Sequence, residues 1–362
     1  MSTASSVQAR ELKPALKSWI GRKTRVDTQI SAFINDTFHG ALTEDDFFWI
    51  NTIQPEQLRP CNPDHSGYAN VERLNDIRTI NKFLETANQH LQKGKYILVC
   101  AETVGSRRKR ILAKFPKPFN YLYYFLDFIL KRVMPKTRLT HKIYYAITKG
   151  RNRVLSRTET LGRLHSCGFK VLNHRLIGHK TWFIAKKVTD PLFDMEPTYG
   201  VLVTLKRVGY KGELINVSKI RTMHPFSEYI QDYIYEKNDL QNGGKINNDF
   251  RITSWGRVLR KLWIDELPMI WNALKGEMKL VGVRPLSRHY FSLYSDEMKE
   301  LRTSVKPGLV PPFYVDMPET FEEIMESERA YIEAYKEKPI RTDIHYFCKA
   351  FYNILIKRAR SA

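Results

Sequence analysis

The chain has 362 residues, which at about 150 residues per domain points to two domains or more. An apolar share of 43% supports ordinary globular cores, and 27% charged residues is near the usual proportion. The anomaly is the formal net charge of +21, which calls for an anionic partner: phosphate-bearing ligands, a lipid surface or nucleic acid. Cys61, Cys100, Cys167 and Cys348 stand far apart with no Cys-x-x-Cys, which fits reduced thiols in a cytosolic setting and argues against a zinc ribbon. The start, Met1-Ser-Thr-Ala-Ser-Ser, lacks the apolar core of a signal peptide. No run reaches the roughly 18 apolar residues of a simple spanning helix; the nearest, Tyr121 to Leu130, is interrupted by Asp127.

Taken in order, the first 75 residues yield an acidic turn at Glu44-Asp45-Asp46 and a loop at Pro60-Cys-Asn-Pro-Asp64, with no chemistry. Ile77, Ile80, Phe83, Leu84 and Leu91 recur at helical spacing, and Lys93-Gly94 ends that helix. Tyr96–Cys100 reads as a strand. Ser156-x-x-Glu159 has the form of a capping box, opening a helix through Leu161 and Leu164 that stops near Gly168. Phe169–Leu172 and Thr181–Ala185 then read as strands joined by a turn at Gly178. This order resembles the C-terminal half of a class I methyltransferase fold, but no Gly-rich cofactor loop precedes Tyr96. Residues 1–190 are therefore expected to form a reduced α/β domain without methyl-donor binding. An unrelated α/β accessory domain is the alternative.

Between Gly105 and Arg157 lie 15 Lys or Arg and one acid, Asp127, so this segment alone contributes +14. Phe115, Phe119, Tyr121, Tyr123, Tyr124, Phe125, Phe128, Tyr144 and Tyr145 are interleaved with the cations. An anionic membrane surface suits that mixture, with rings at headgroup depth and cations against phosphate. Single-stranded nucleic acid would use similar ingredients. The blander alternative is a solvated basic face whose aromatics lie in the core.

Asp190-Pro191 to Gly200 is a proline-marked junction, and residues 191–362 are expected to form the second domain. Val201–Leu205 and Leu214–Val217 read as strands around a basic turn, Lys206 to Gly212. Asn238 to Asp249 is rich in Gly and Asn. Then Asp265 and Glu266 follow Arg251, Arg257 and Arg260 and precede Arg284, with Pro268 just beyond the pair. Carboxylates suit a nucleophile, a general base or a Mg²⁺ ligand, and arginines grip phosphate with a fork of donors. Pro268 either kinks a helix or opens a new one; in the second case the pair lies beside a positive helix end, which favours ionised carboxylates. The alternative is a pair that merely caps a helix and balances Arg257 and Arg260.

These pieces resemble, in collinear order, the bacterial sugar transferases, monotopic polyprenyl-phosphate sugar-1-phosphate transferases. The matching residues are Arg207-Val-Gly209 with Gly212, Lys219-x-Arg221-Thr-Met223, Gly256-Arg257-Val-Leu-Arg260 and Asp265-Glu-Leu-Pro268. Asn272-x-Leu-Lys-Gly276-Glu-Met278, Val281-Gly-x-Arg-Pro285, Arg302 and Lys306-Pro-Gly-Leu309 continue the match, which spans about residues 201–309. The resemblance implies a mixed α/β domain of short strands and amphipathic helices. It also implies transfer of a sugar 1-phosphate from a UDP-sugar to polyprenyl phosphate in glycan assembly. By analogy Asp265 would attack the sugar-linked phosphate, Glu266 would help hold Mg²⁺, and Arg284 would bind phosphate. The expected phosphate-binding set is Arg221, Arg251, Arg257, Arg260, Arg284 and Lys306. The implied partners are a nucleotide-sugar donor, polyprenyl phosphate and an anionic membrane surface at the cytoplasmic face of a bacterial inner membrane; no nucleic acid is expected.

Two stretches depart from the family's pattern. A hydrophobic re-entrant helix normally precedes the first strand, whereas Thr189-Asp-Pro-Leu-Phe-Asp-Met-Glu-Pro197 cannot enter a bilayer. Val310-Pro-Pro-Phe313 replaces the usual Thr-Gly. The missing helix motivates a second hypothesis, a non-catalytic relative serving as a membrane or assembly partner. In the tail, Thr320-x-x-Glu323 is a second capping box that starts a charged helix to about Lys336. Past Pro339, the apolar stripe Ile344, Phe347, Phe351, Ile354 and Leu355, flanked by Lys349, Lys357, Arg358 and Arg360, reads as a membrane-surface element or as core packing.

Overall fold

The computed structural model describes residues 25–137, 139–193, 200–231, 233–234, 240–241, 245–246 and 249–357. Most of Asn238–Asp249, the end of the Thr189–Pro197 junction, and Arg358 and Arg360 lie outside them. The chain divides into two compact units, Met1–Pro135 with Lys142–Asp194 and Lys136–His141 with Met195–Ala362.

The first unit is built on β1 (Phe47–Ile50), β2 (Gly67–Arg73), β3 (Tyr96–Ala101), β4 (Phe169–Ile177) and β5 (Lys180–Lys187), in the order β1-β2-β3-β5-β4. The first three strands run parallel, and β5 lies antiparallel between β3 and β4. From Ile97 to Ala101 every residue of β3 is buried, the pattern of a strand covered on both faces. Its helices are α1 (Arg25–Phe38), α2 (Ile80–His90), α3 (Val104–Lys114), α4 (Phe119–Phe128), α5 (His141–Thr148) and α6 (Arg157–Ser166). From α1, Ile30, Phe33 and Ile34 pack with Phe47, Ala69, Leu98, Trp182 and Ile184.

Ser156 caps α6, its Oγ accepting from the Glu159 N–H at 3.0 Å. The Glu159 carboxylate accepts instead from Arg132 and Arg163 at 2.7 and 3.2 Å, an ion triad that a local capping pattern does not reveal. In the basic segment the aromatics divide. Tyr144 is buried, but Phe119, Tyr121, Tyr123 and Phe125 are exposed, so the reading that puts them all in the core does not describe α4.

In the second unit β6 (Leu202–Val208) and β7 (Leu214–Ile220) form an antiparallel hairpin in continuous register from Leu202↔Ile220 to Val208↔Leu214. Both strands run three residues past the sequence expectation. Lys206 and Arg207 are ladder residues opposite Asn216 and Ile215, and the turn is confined to Tyr210–Gly212. A short antiparallel pair follows, β8 (Leu240–Gln241) and β9 (Lys245–Ile246). Next come α7 (Ser254–Lys261), a 3-10 turn at Ile264–Glu266, α8 (Met269–Leu274), β10 (Lys279–Val281), α9 (Arg288–Ser292) and α10 (Asp296–Thr303). The chain continues through β11 (Gly308–Val310), α11 (Phe313–Asp316), α12 (Phe321–Glu337) and α13 (Pro339–Leu355). The Thr320–Glu323 box forms in both directions at the start of α12. Pro312, of the divergent Val310-Pro-Pro-Phe313 stretch, caps α11.

Val281, Val283, Val305, Val310, Tyr314, Tyr331, Ile332 and Ala350 form the core of this unit. The tail helix α13 divides by face. Phe347 and Ile354 pack on that core, whereas Ile344 and Phe351 are exposed. The parallel pair β10–β11 closes unusually tightly: a Cβ on Gly308 would lie 2.1 Å from the Gly282 nitrogen. Gly308→Ala is therefore expected to force the strands apart and to cost about 1–3 kcal/mol, read as a lower urea midpoint.

Candidate functional site

The site assembles where three local structures meet. Thr253 caps α7, accepting from the Gly256 N–H at 3.0 Å while its hydroxyl donates to the Thr222 carbonyl at 2.9 Å. A Cβ on Gly256 would lie 2.1 Å from that carbonyl oxygen, so only glycine lets α7 approach this closely. After α7 the chain reverses at Trp263, which holds φ 61° and ψ 12°. A left-handed non-glycine residue costs about 1–3 kcal/mol. Here the Trp263 ring is edge-on to Tyr314 at 4.4 Å, a contact that holds the residue in place. The 3-10 turn that follows carries Asp265 and Glu266, and Pro268 caps α8. Of the two roles open to Pro268 in the sequence, the fold uses the second, the opening of a new helix.

β7 supplies the facing wall. Its Val217 packs with Met269, Met278 and Leu309, and the buried Asn272 of α8 ties that helix to the strand. Asn272 accepts from the Ser218 N–H at 3.2 Å and donates to the Asn216 carbonyl at 2.7 Å and to Glu277 at 2.6 Å. Arg284 arrives from the loop after β10. The Val208 N–H donates to the Leu286 carbonyl at 2.9 Å, and Arg302 donates to the Arg284 carbonyl at 2.6 Å.

Lys219 Nζ lies 2.6 Å from Glu266 Oε1, and Arg284 Nη2 lies 3.9 Å from the same oxygen. Arg260 donates to Thr222 Oγ1 at 2.9 Å and interacts electrostatically with Asp265. Arg207 and Arg284 repel one another. Arg207, Lys219, Arg260 and Arg284 thus outnumber the two carboxylates, and the surplus positive charge favours an anion.

Burial pushes the Asp265 carboxyl above its ordinary value, and the neighbouring Glu266 charge pushes the same way against the opposing pull of Lys219 and Arg260. This runs against the expectation that a helix end favours the ionised pair, because α8 has six residues and burial dominates. Burial also lowers the Lys219 ammonium, which Glu266 supports and Arg284 opposes.

Of the residues expected from sequence, Asp265, Glu266, Arg260 and Arg284 come together. Arg251 is buried and held by Asp249, which accepts from its Nη2 at 2.7 Å. Arg221 donates to the Gly200 carbonyl at 3.0 Å. Arg257 is exposed on α7, and Lys306 is exposed ahead of β11. Sequence reasoning left Lys219 and Arg207 out of the site. Their only signal was membership of the Lys219-x-Arg221 and Arg207-Val-Gly209 motifs. Among the described residues no group of three or more His, Cys, Asp or Glu is placed to hold a metal ion. The adjacent carboxylates suit only a Mg²⁺ that draws its remaining ligands from substrate phosphate and water, the usual mode for that ion.

Residues 183–357 match the family model described as bacterial sugar transferase, a wider span than the motifs alone covered. Galactosyl transferase CpsE of Streptococcus agalactiae is 34% identical over 133 residues, covering 36% of this chain and 29% of that protein. Exopolysaccharide production protein ExoY of Sinorhizobium fredii is 34% identical over 109 residues, 29% of this chain and 48% of the relative. Undecaprenyl-phosphate galactose phosphotransferase of Salmonella typhimurium is 35% identical over 109 residues, 29% of this chain and 23% of the relative. The chain spans less than half the length of each of these relatives. The Asp265-Glu266 turn, the β6–β7 hairpin and the Arg284 loop all lie inside the matched span, so residues 183–357 of this chain are similar to the bacterial sugar transferases.

Proposed function

We propose that the second unit moves a sugar 1-phosphate from a UDP-sugar to a polyprenyl phosphate in exopolysaccharide or glycan biosynthesis. The observation that carries this reading is a buried Asp265 beside Glu266, surrounded by Arg207, Lys219, Arg260 and Arg284. An Asp265 carboxylate oxygen attacks the sugar-linked phosphorus. The new O–P bond forms as the bond to the bridging oxygen breaks, and UMP leaves with that electron pair. A phosphate oxygen of the lipid then attacks the same phosphorus and releases Asp265. The four cations offset the repulsion between an anionic nucleophile and an anionic diphosphate. Mg²⁺, held by Glu266 and the donor phosphates, would supply further charge neutralisation. The names of the relatives, which include an undecaprenyl-phosphate galactose phosphotransferase, support these substrate classes.

A lipid acceptor requires a membrane, and no described helix is long and apolar enough to cross one. We place the transferase unit on the bilayer surface through the outward apolar faces of α7 and α8. Trp255, Val258 and Leu262 are exposed at helical spacing, and so are Leu267, Ile270, Trp271 and Leu274. Arg257, Lys261 and Lys275 stand beside them as headgroup partners. The cytoplasmic face follows from the nucleotide donor. For the first unit, a reduced relative of the methyltransferase fold is the reading supported by its element order and by the antiparallel insertion of β5 between β3 and β4.

Incubating the protein with Mg²⁺, polyprenyl phosphate and a panel of UDP-sugars tests the chemistry. UMP release with at least one donor is expected; none with any donor from folded protein rejects the transferase reading in favour of a non-catalytic relative. The rate should also fall on the acid side, at a pH above the ordinary aspartate value of 3.8, since Asp265 must be ionised to attack. Because Lys219 holds the Asp265 carboxyl down, Lys219→Gln should move that acid limb to higher pH and lower kcat about 10²-fold. An unchanged acid limb would remove Lys219 from the site.

A further inference from the structure

We propose that α4, in the first unit, is a docking element for an anionic bilayer surface. The helix is amphipathic, but its polarity is reversed. Asn120 and Asp127, seven residues apart and so on one face, point into the protein. Asn120 Nδ2 donates to the Leu112 carbonyl at 3.1 Å. Arg107 grips Asp127 with two bonds, from Nε at 2.7 Å and Nη2 at 2.6 Å, and both side chains are over nine-tenths buried. The same guanidinium reaches Glu102 at 3.0 Å and Asn152 at 2.7 Å. Outward from this anchored polar face stand Phe119, Leu122, Phe125 and Leu126, each more than half exposed, with the tyrosines Tyr121 and Tyr123 among them.

That orientation cannot be relaxed by rolling the helix. Burying the apolar face would pull Asp127 off Arg107 and leave a buried guanidinium with Nε and Nη2 stripped of their acceptor. The ion pair therefore fixes a large apolar surface toward solvent, and a contiguous patch of this kind marks an interaction site. Its surroundings choose the occupant. Arg108, Lys109, Lys114 and Lys117 are exposed, Arg108 lies over the Tyr124 ring at 6.0 Å, and Lys114 lies over Phe115 at 5.4 Å. A second copy of this chain would set one +14 segment against another. Anionic headgroups complement the cations, and the acyl boundary accommodates Phe119, Leu122, Phe125 and Leu126, with the tyrosine hydroxyls at headgroup depth.

The test is flotation of the full chain with phosphatidylcholine vesicles, with and without phosphatidylglycerol. Vesicle binding needs no sugar donor, so this inference can hold where the transferase chemistry fails, and the reverse. Leu122→Glu combined with Phe125→Glu should weaken binding to the anionic vesicles at least about tenfold. Leu126→Trp should tighten it severalfold with the thermal melt unchanged, which separates the gain from exposure of apolar surface by misfolding. Wild-type affinity in the double variant, or no gain with tryptophan, overturns the proposal. So does self-association without lipid that the double variant abolishes, which would identify a second copy as the occupant.

Discussion

Asp265→Asn is expected to abolish UMP release, by at least about 10³-fold, the scale on which loss of a covalent nucleophile falls in other enzymes. The change is nearly isosteric, so the turn at Ile264–Glu266 and the edge-on contact of Trp263 with Tyr314 should persist. Stability should move the other way. Burial raises the Asp265 carboxyl in the folded state, so its ionised form opposes folding once the pH exceeds its ordinary value of 3.8. The penalty is absent well below that value and complete above the raised one. Asparagine removes it, so the variant should melt higher than wild type at neutral pH, with the gap closing on acidification. A thermal melt across pH beside a UMP assay reads both arms. Glu266→Gln separates the two carboxylates. It should reduce turnover while still allowing Asp265 to take up phosphosugar, detectable as added mass on the intact protein. If Asp265→Asn retains wild-type turnover, Asp265 is not the nucleophile.

Much of this architecture could be read from local pattern, because local forces determine it. The apolar run from Tyr96, the turn at Gly178 and the Thr320–Glu323 cap each depend on residues a few positions apart. The carboxylates and arginines of the site suggested phosphate chemistry by type alone. Lys219 did not, because its importance lies in a 2.6 Å contact with Glu266, 47 positions away, that exists only after the hairpin meets the 3-10 turn. Arg251 is the mirror case: Asp249, two residues before it, accepts from its guanidinium, a pairing that residue type alone does not reveal. The strands of the hairpin ran past their expected ends because cross-strand pairing overrides the turn-like Lys206-Arg207 sequence. In α4, periodicity tells which residues share a face but not which face turns inward. Asp127 looked like an interruption of an apolar run, and Arg107, twenty positions earlier, makes it the anchor.

Arg302→Met should damage stability and the site together, and the two effects can be pulled apart. Arg302 on α10 is buried against the Glu328 carboxylate of α12, with its guanidinium 4.8 Å from the Tyr294 ring centroid. Removing the cation leaves Glu328 buried and uncompensated, at a cost of about 3–5 kcal/mol. A stranded carboxylate is relieved by protonation, so the deficit should shrink as the pH falls. Arg302→Met with Glu328→Leu replaces both charges by apolar groups and should recover most of the lost urea midpoint. Activity should not recover with it. Arg302 also donates to the Arg284 carbonyl at 2.6 Å, and that bond helps hold the loop which brings the Arg284 side chain to within 3.9 Å of Glu266. With the donor gone, the double variant should fold near wild-type stability yet release UMP about tenfold or more slowly, since small misplacements of a charge-stabilising group carry large rate penalties. Recovery of both properties in the double variant would restrict Arg302 to packing.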